Sequence, residues 1–296
     1  MLGTVLLRAL NLPALWRHAR RRPQDVWDPA DDLELKLYRS IAGVDYLHYG
    51  YFDPIPSDPA DISLADVQRA MGRYAELFTA RIAPGERVLD VGCGTGGLLG
   101  KLAQAGAKPT GLTPNRAHAE YIRQRYPGIE VIQSRLEDLD FGALAASVDV
   151  VANSESLQYI DLTTAFRSAF ALLKPGGRWV LTDYFRLHEQ TRNRSGHLLE
   201  RFEHALRESP FTERERLDMT DNVVPTLAFA HTLASRVALP LVEFAAERFL
   251  AKHTVWNYLA GDLGRNAIGK IKLDGIDPTV FRRDKRYMLF VLAKPA

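Results

Sequence analysis

The sequence predicts an α/β fold: a mostly parallel sheet with helices on both faces and an additional helical cap. Three observations carry this reading. From residue 64 onward, short apolar runs alternate with stretches of helical spacing, the pattern of a parallel sheet covered on both sides. The run Val88-Leu89-Asp90-Val91-Gly92-Cys93-Gly94-Thr95-Gly96-Gly97 leads an apolar strand into a helix through four glycines, making the strand–loop–helix corner that cradles nucleotides. The chain has 296 residues, 46% hydrophobic and 25% charged, an ordinary globular balance and long enough for one large domain.

The elements follow in order. Leu64 to Ile82 carries Val67, Met71, Tyr74, Ala75 and Phe78 at helical spacing and leads through Pro84-Gly85 into strand one, Val88 to Val91. Leu98, Leu99 and Leu102 open a helix that ends near Gly106. Pro109 to Thr113 is strand two, and Arg116 to Tyr126 is a helix stopped by Pro127-Gly128. Glu130 to Ile132 is strand three and Val148 to Ala152 strand four. A helix over Thr163 to Leu173 precedes strand five, Arg178 to Thr182. Glu213 to Asp218 and Tyr287 to Ala293 are strands six and seven. Between them, Asn222 to Asn257 is helical and rich in leucine, alanine and phenylalanine, more than a simple crossover needs. It is expected to cap the site together with residues 186–208 and the N-terminal helices, with Leu227, Phe229, Phe244 and Phe249 lining an enclosed pocket.

The glycine corner is the centre of the chemistry. Glycines there let the backbone turn tightly and approach a ligand. Asp90 at the mouth of the loop selects the nucleotide, because a carboxylate repels a pyrophosphate and attracts the ammonium of a methionine moiety. That points to S-adenosylmethionine. A dinucleotide reading competes, since Gly92, Gly94 and Gly97 also satisfy G-x-G-x-x-G. It expects an acid at the end of the next strand. That strand ends in Thr113, although Arg116 could hold the 2′-phosphate of NADP.

These segments together resemble the class I S-adenosylmethionine-dependent methyltransferases, in the branch that methylates small molecules and lipids. The glycine run is similar to their first motif. Tyr46 to Phe52 resembles the aromatic segment before the core, Asp149 to Leu157 the fourth strand with its acceptor-facing turn, and Leu172 to Arg178 the turn before the fifth strand. The resemblance implies a Rossmann-like seven-stranded sheet with the last strand antiparallel. It also implies cofactor contacts from Asp90, Gly92, Cys93, Gly94, Thr113, Asn115, Leu136, Glu137 and Asn153, with Gly92 and Gly94 close to the methionyl and ribose portions. Thr113 stands where many relatives place an acid that grips the ribose, and lipid- and sterol-methylating relatives often carry a similar Gly-Leu-Thr sequence. Arg135 stands where relatives commonly carry an acid near adenine, so the Leu136 and Glu137 backbone is expected to serve.

Around the acceptor, the resemblance implies roles for Glu155, Gln158, Tyr49 and Tyr51. Sugar O-methylating relatives often carry a histidine base after Glu-Ser-Leu; here Gln158 and Tyr159 follow instead. An alcohol acceptor needs its proton removed, so the expected acceptor is a carbon or nitrogen of a small, partly apolar metabolite. Glu155 is read as base or cation stabiliser, or else as a cap of the Ser156 turn. Tyr49 and Tyr51, with His48, are expected to close over the sulfonium by cation–π contact, or simply to pack.

Net charge is +2, which gives no field for nucleic acid. The single cysteine, Cys93, lies within the glycine loop, so a disulfide framework or cysteine-based metal site is not expected; scattered histidines lack metal-ligand spacing. A reducing, cytoplasmic setting is the expectation. Leu2 to Leu15 is apolar but interrupted by Arg8 and Pro13, and a basic cluster runs from Trp16 to Pro23. This fits neither a signal peptide nor a spanning helix. A helix packed on the enzyme or on a neighbouring subunit is expected, with peripheral membrane contact as the alternative. The chain divides into an N-terminal segment over 1–62, a cofactor core over 63–185 and the remaining strands with cap insertions over 186–296. Two other functions stay open: a cyclase that uses S-adenosylmethionine and releases methylthioadenosine, and a cofactor-binding protein without catalysis.

Overall fold

The computed structural model describes residues 45–191, 193–253, 266 and 273–296; the expectations for Leu2 to Pro23 lie outside them. Ser63 starts the first helix, α1 (Leu64–Thr79). Its side chain accepts from the Asp66 N–H while the Asp66 carboxylate accepts from the Ser63 N–H, which satisfies two otherwise unpaired donors of the first turn. The face bearing Val67, Met71, Tyr74, Ala75 and Phe78 is buried, as its spacing predicts.

Alternation follows: β1 (Arg87–Val91), α2 (Gly97–Gln104), β2 (Lys108–Thr113), α3 (Arg116–Arg125), β3 (Glu130–Gln133), β4 (Val148–Ser154), α4 (Leu162–Leu172), β5 (Leu173–Arg186), α5 (Leu199–Glu208) and β6 (Thr212–Asp218). Helix α6 (Thr220–Leu233) continues through a π-helical turn (Ala234–Ala238) into α7 (Leu239–Lys252); α8 (Pro278–Asp284) precedes β7 (Lys285–Ala293). The sheet order is β3-β2-β1-β4-β5-β7-β6. β7 runs antiparallel to both β5 and β6, and the remaining pairs are parallel. The chain order reverses between β1 and β4, so their carboxyl ends form the crevice where ligands of open α/β sheets bind. Two apolar layers sandwich this sheet, one around Trp179, Phe185, Phe202 and Phe290, the other around Phe78, Val88, Val180 and Leu289.

Two elements differ from the sequence reading. Strand β5 is far longer than Arg178 to Thr182. The predicted turn over 174–177 is a bulge within it: Val148 pairs with Leu173 and Val150 with Arg178, and Gly176 takes φ +74°. At its other end β5 pairs with β7 as far as Arg186 opposite Lys285, which carries Asp183 and Tyr184 beyond the end of β4.

The cap expectation also needs correction. Leu227 is buried in the layer against the sheet, and Phe229 packs on Phe52 and Met71. Phe244 and Phe249 are exposed. None of these four lines the cavity described below. The helical pattern over 222–253 was legible, but apolar content cannot say which way an apolar face turns. The support that these residues gave to a lipid-like substrate falls away.

Candidate active site

A cavity of about 890 Å³ opens at the carboxyl ends of β1, β2 and β4. The segment 45–49 closes one wall. Leu47 lies against Gly94, and Tyr46 and the Asp45 carbonyl lie against Gly97. This segment is anchored at both ends. The Asp45 carboxylate accepts from the Tyr121 and Tyr126 hydroxyls and from Arg125 Nε, while its carbonyl accepts from Thr95 Oγ1. Burial opposes the Asp45 charge, but the two hydroxyls and Arg125 outweigh it and hold the carboxyl below its ordinary value. At the other end the Tyr49 N–H donates to Glu155 Oε1 at 2.7 Å, and the Gly50 N–H donates to Thr226 Oγ1 at 2.9 Å.

Asp90 forms the floor. It is 1% exposed, and neither carboxylate oxygen has a hydrogen-bond donor. Burial pushes its carboxyl up to about 7. A buried carboxylate without donors is costly, so this position is complementary to a cationic or hydroxylic ligand group. Gly92, Cys93, Gly94, Thr113, Asn115, Leu136 and Glu137 all line the same cavity. Asn115 caps α3, its Oδ1 accepting from the Ala117 and His118 N–H groups. Cys93 is a buried packing residue with Leu99 and Ile122, and burial raises its thiol well above the usual range.

Several expected roles change. Asn153 does not line the cavity. It is 2% exposed; its Nδ2 donates to Ser156 Oγ and the Val91 carbonyl, and its Oδ1 accepts from Trp179 Nε1. It therefore pins the turn after β4 to the end of β1 rather than holding a cofactor. Tyr51 also lies off the cavity, packed in the layer below the sheet, with its N–H on the Ala70 carbonyl. The glycines line the cavity and are also crowded by protein: a Cβ on Gly92 would meet Ser156 Cβ at 2.4 Å, and one on Gly94 would meet Leu47 Cδ1 at 3.2 Å. Sequence shows that the chain needs small residues here but not which atoms crowd them.

The acceptor side gathers Glu155, Gln158, Tyr49, Tyr184 and His48. Glu155 adopts φ +53°, the left-handed region that non-glycine residues enter mainly under structural compulsion. Its N–H donates to the Thr182 carbonyl, and its Oε1 accepts from the Tyr49 N–H and, at 2.6 Å, from the Tyr287 hydroxyl. The side chain thus ties three elements together and does not cap the Ser156 turn. Burial pushes its carboxyl up to about 7 against those two donors. Gln158 takes the Tyr184 hydroxyl on Oε1, and its N–H donates to Asp183 Oδ2 at 2.9 Å. Asp183 is itself raised to about 8 by burial.

His48 and Tyr184 were underweighted by sequence. His48 is 6% exposed and stacked on Tyr74, the ring centroids 3.9 Å apart. Its Nδ1 lies 2.8 Å from the Tyr49 carbonyl, which can only accept, so Nδ1 carries the hydrogen and Nε2 is a lone pair. That Nε2 has no partner. Burial holds the ring down at about 4, so it is neutral near pH 7. The stacking of His48 on Tyr74 had no signal in spacing.

Fold and site together describe an α/β protein with a cavity at the sheet crevice whose floor, Asp90, is complementary to a cationic or hydroxylic group. Residues 88–177 match the family described as "Methyltransferase domain". O-methyltransferase cnsE of Penicillium expansum is 31% identical over 175 residues, 56% of this chain and 60% of that protein, so the match leaves two fifths of that relative uncovered. O-methyltransferase resE of Aspergillus sclerotiorum is 26% identical over 240 residues, 73% of this chain and 89% of that protein. The crystal structure of the cyclase SpnF shares the fold at a TM-score of 0.63 and 22% identity, covering 90% of this chain and 93% of that one. Residues 88–177 are thus similar to a methyltransferase domain, and the chain resembles the class I S-adenosylmethionine-dependent methyltransferases. Its cofactor is S-adenosylmethionine, which removes the NADP alternative.

Proposed function

We propose that this protein transfers the methyl group of S-adenosylmethionine to a small, partly apolar metabolite. The observation that carries the proposal is Asp90, a buried carboxylate without donors at the floor of a cavity lined by the glycine loop. Asp90 would hold the ammonium of the methionyl part. Thr113 and Asn115 would face the ribose, and the Leu136–Glu137 backbone the adenine. When bound, the cofactor supplies a methyl on a sulfonium, open to in-line attack. The chain's own contribution is to hold the acceptor in line, to exclude water beneath the segment 45–49, and to present Glu155 as a carboxyl poised near neutrality. A cavity of this size lies near the top of the roughly 300–1,000 Å³ range of small-molecule sites, with room for cofactor and acceptor together.

The acceptor atom follows from two supports. The relatives above are named O-methyltransferases, and His48, a neutral imidazole, is among the residues that line the cavity. Both favour oxygen over the carbon or nitrogen expected from sequence. A second reading keeps the cofactor in a cyclase, as the likeness to SpnF suggests. Product analysis on small-molecule extracts decides: S-adenosylhomocysteine marks transfer, methylthioadenosine marks cyclisation of the aminobutyl part, and cofactor recovered unchanged beside a converted substrate marks the second reading.

A further inference from the structure

The continuous helix Thr220–Lys252 is long and apolar enough to cross a membrane, yet only 11% of its apolar 18-residue stretch is buried. A core helix of that composition would be covered. This one is held at one end: Val223, Val224 and Leu227 of α6 pack against the sheet, so the helix is not free to span a bilayer. Beyond the π-helical turn, α7 leaves the core, and Leu250 is its one buried residue. Leu241, Val242, Phe244 and Phe249 are 48–61% exposed. Phe244, Ala245, Arg248 and Lys252 stand three, four, seven and eleven residues after Leu241, on its face of the helix, with Val242 and Phe249 beside them. Glu243 and Glu247 stand seven and three residues before Leu250 and share its side, away from that face. The outward face is therefore apolar, and both of its charges are cationic. The Arg248 guanidinium lies over the Phe244 ring, 5.7 Å from its centre, so the arginine stem runs along the apolar surface.

We propose that this face of α7 docks on an anionic lipid surface. The helix lies along the bilayer with Leu241, Phe244 and Phe249 at the boundary between headgroups and acyl chains, while Arg248 and Lys252 bury their stems and reach the lipid phosphates. The proposal is independent of which atom is methylated and of the fate of the cofactor. A second copy of the chain is the poorer occupant. A two-fold interface sets this face on itself, where no acid meets Arg248 and Lys252, and like charges brought together oppose association. An acidic bilayer supplies the missing anions and takes up the apolar side chains at once. Each basic residue beside such a surface strengthens binding about fivefold, and the attraction fades as salt is added.

Vesicle flotation of the full chain tests this, with phosphatidylcholine alone and with equal parts phosphatidylcholine and phosphatidylglycerol. The unmodified protein should float with the mixed vesicles, and less so as salt is added. The triple variant Leu241→Gln, Phe244→Gln and Phe249→Gln should lower partitioning at least about tenfold, with an unchanged melting temperature because all three residues are exposed. Arg248→Gln with Lys252→Gln should lower it about thirtyfold on the mixed vesicles at low salt and leave phosphatidylcholine binding unaltered. A polarity-sensitive fluorophore on the thiol of Phe244→Cys should shift to the blue with mixed vesicles, and the same fluorophore on Glu247→Cys should not; the unmodified protein, whose Cys93 is buried, is the labelling control. The proposal is overturned if the unmodified protein does not float, or if the two fluorophores respond equally. Flotation that survives the triple variant assigns membrane binding to another part of the chain and also overturns it. So does sedimentation equilibrium showing self-association that the triple variant abolishes while no vesicle is bound, which gives the face to a second copy.

Discussion

The backbone N–H of Tyr49 donates to Glu155 Oε1 at 2.7 Å, across 106 residues of sequence. This bond joins the segment over the glycine loop to the turn after β4, so the wall of the cavity and the acceptor turn are tied directly together. The same oxygen accepts from Tyr287 on β7. One carboxylate thereby couples the N-terminal segment, the crevice and the antiparallel edge of the sheet.

Glu155→Gln separates charge from anchoring. The amide oxygen can still accept from both donors, so the melting temperature should change little. Methyl transfer should fall about 10²–10⁴-fold if the carboxylate takes part in proton transfer. Single-turnover transfer and thermal melting of the same variant check this. Near-normal turnover would reduce Glu155 to an anchor. Glu155→Ala should instead lower both stability and cofactor retention, because the Tyr49 N–H and the Tyr287 hydroxyl lose their acceptor.

Asp90 predicts a proton linked to cofactor binding. Its folded-state carboxyl stands at about 7 against an ordinary value of 3.8. A raised acid holds its proton more tightly folded than unfolded. Its contribution to stability is therefore complete below about pH 4 and lost as pH rises through about 7. Pairing with the cofactor ammonium favours the ionised form. Binding of S-adenosylhomocysteine near pH 6 should thus release close to ~1 proton, and affinity should strengthen from pH 6 to pH 8. Calorimetry in buffers of different ionisation enthalpy measures the release. Asp90→Asn should abolish it and weaken binding; an unchanged proton count in that variant would assign the linkage elsewhere.

Much of this was legible in the sequence, and the reasons are local. The β1 run, the glycine loop and the buried face of α1 are written in consecutive residues or at fixed spacing, so periodicity and turn chemistry find them. Asp90 was legible because it stands at a strand end beside the loop. Asn153 was not, since its partners Val91, Ser156 and Trp179 come from two other strands and a turn, and a polar residue at a strand end reads the same whether it faces a ligand or a tryptophan. Tyr51 fails for a related reason: Tyr49 and Tyr51 both pack on the layer beneath the sheet, but only Tyr49 also reaches the cavity. The outward turn of Phe244 and Phe249 depends on tertiary placement that helix periodicity does not carry.

Asn153→Ala tests its reassignment from cofactor ligand to structural pin. The change leaves the buried Trp179 Nε1 without an acceptor and frees Ser156, a loss of about 1–3 kcal/mol. The affinity of the folded fraction for S-adenosylhomocysteine should stay within about threefold, since the residue lies off the cavity. Denaturant titration and calorimetry on one preparation read the two quantities separately. A large affinity loss with unchanged stability would return Asn153 to the cofactor site.

The last prediction concerns the crowding between Gly92 and Ser156. Gly92 adopts φ +76°, and a Cβ there would lie 2.4 Å from Ser156 Cβ. Gly92→Ala carries two penalties: the left-handed backbone, about 1–2 kcal/mol, and displacement of the Ser156 turn. The second depends on the partner side chain and the first does not. Ser156→Gly removes the opposing Cβ at the cost of the hydroxyl bond to the Val91 carbonyl. The double variant should therefore be more stable than the sum of the two single losses predicts, with a coupling of about 0.5–3 kcal/mol. A denaturation cycle on the four proteins measures it. Additive losses would mean that the backbone conformation alone demands glycine at 92, and that the turn has room to yield.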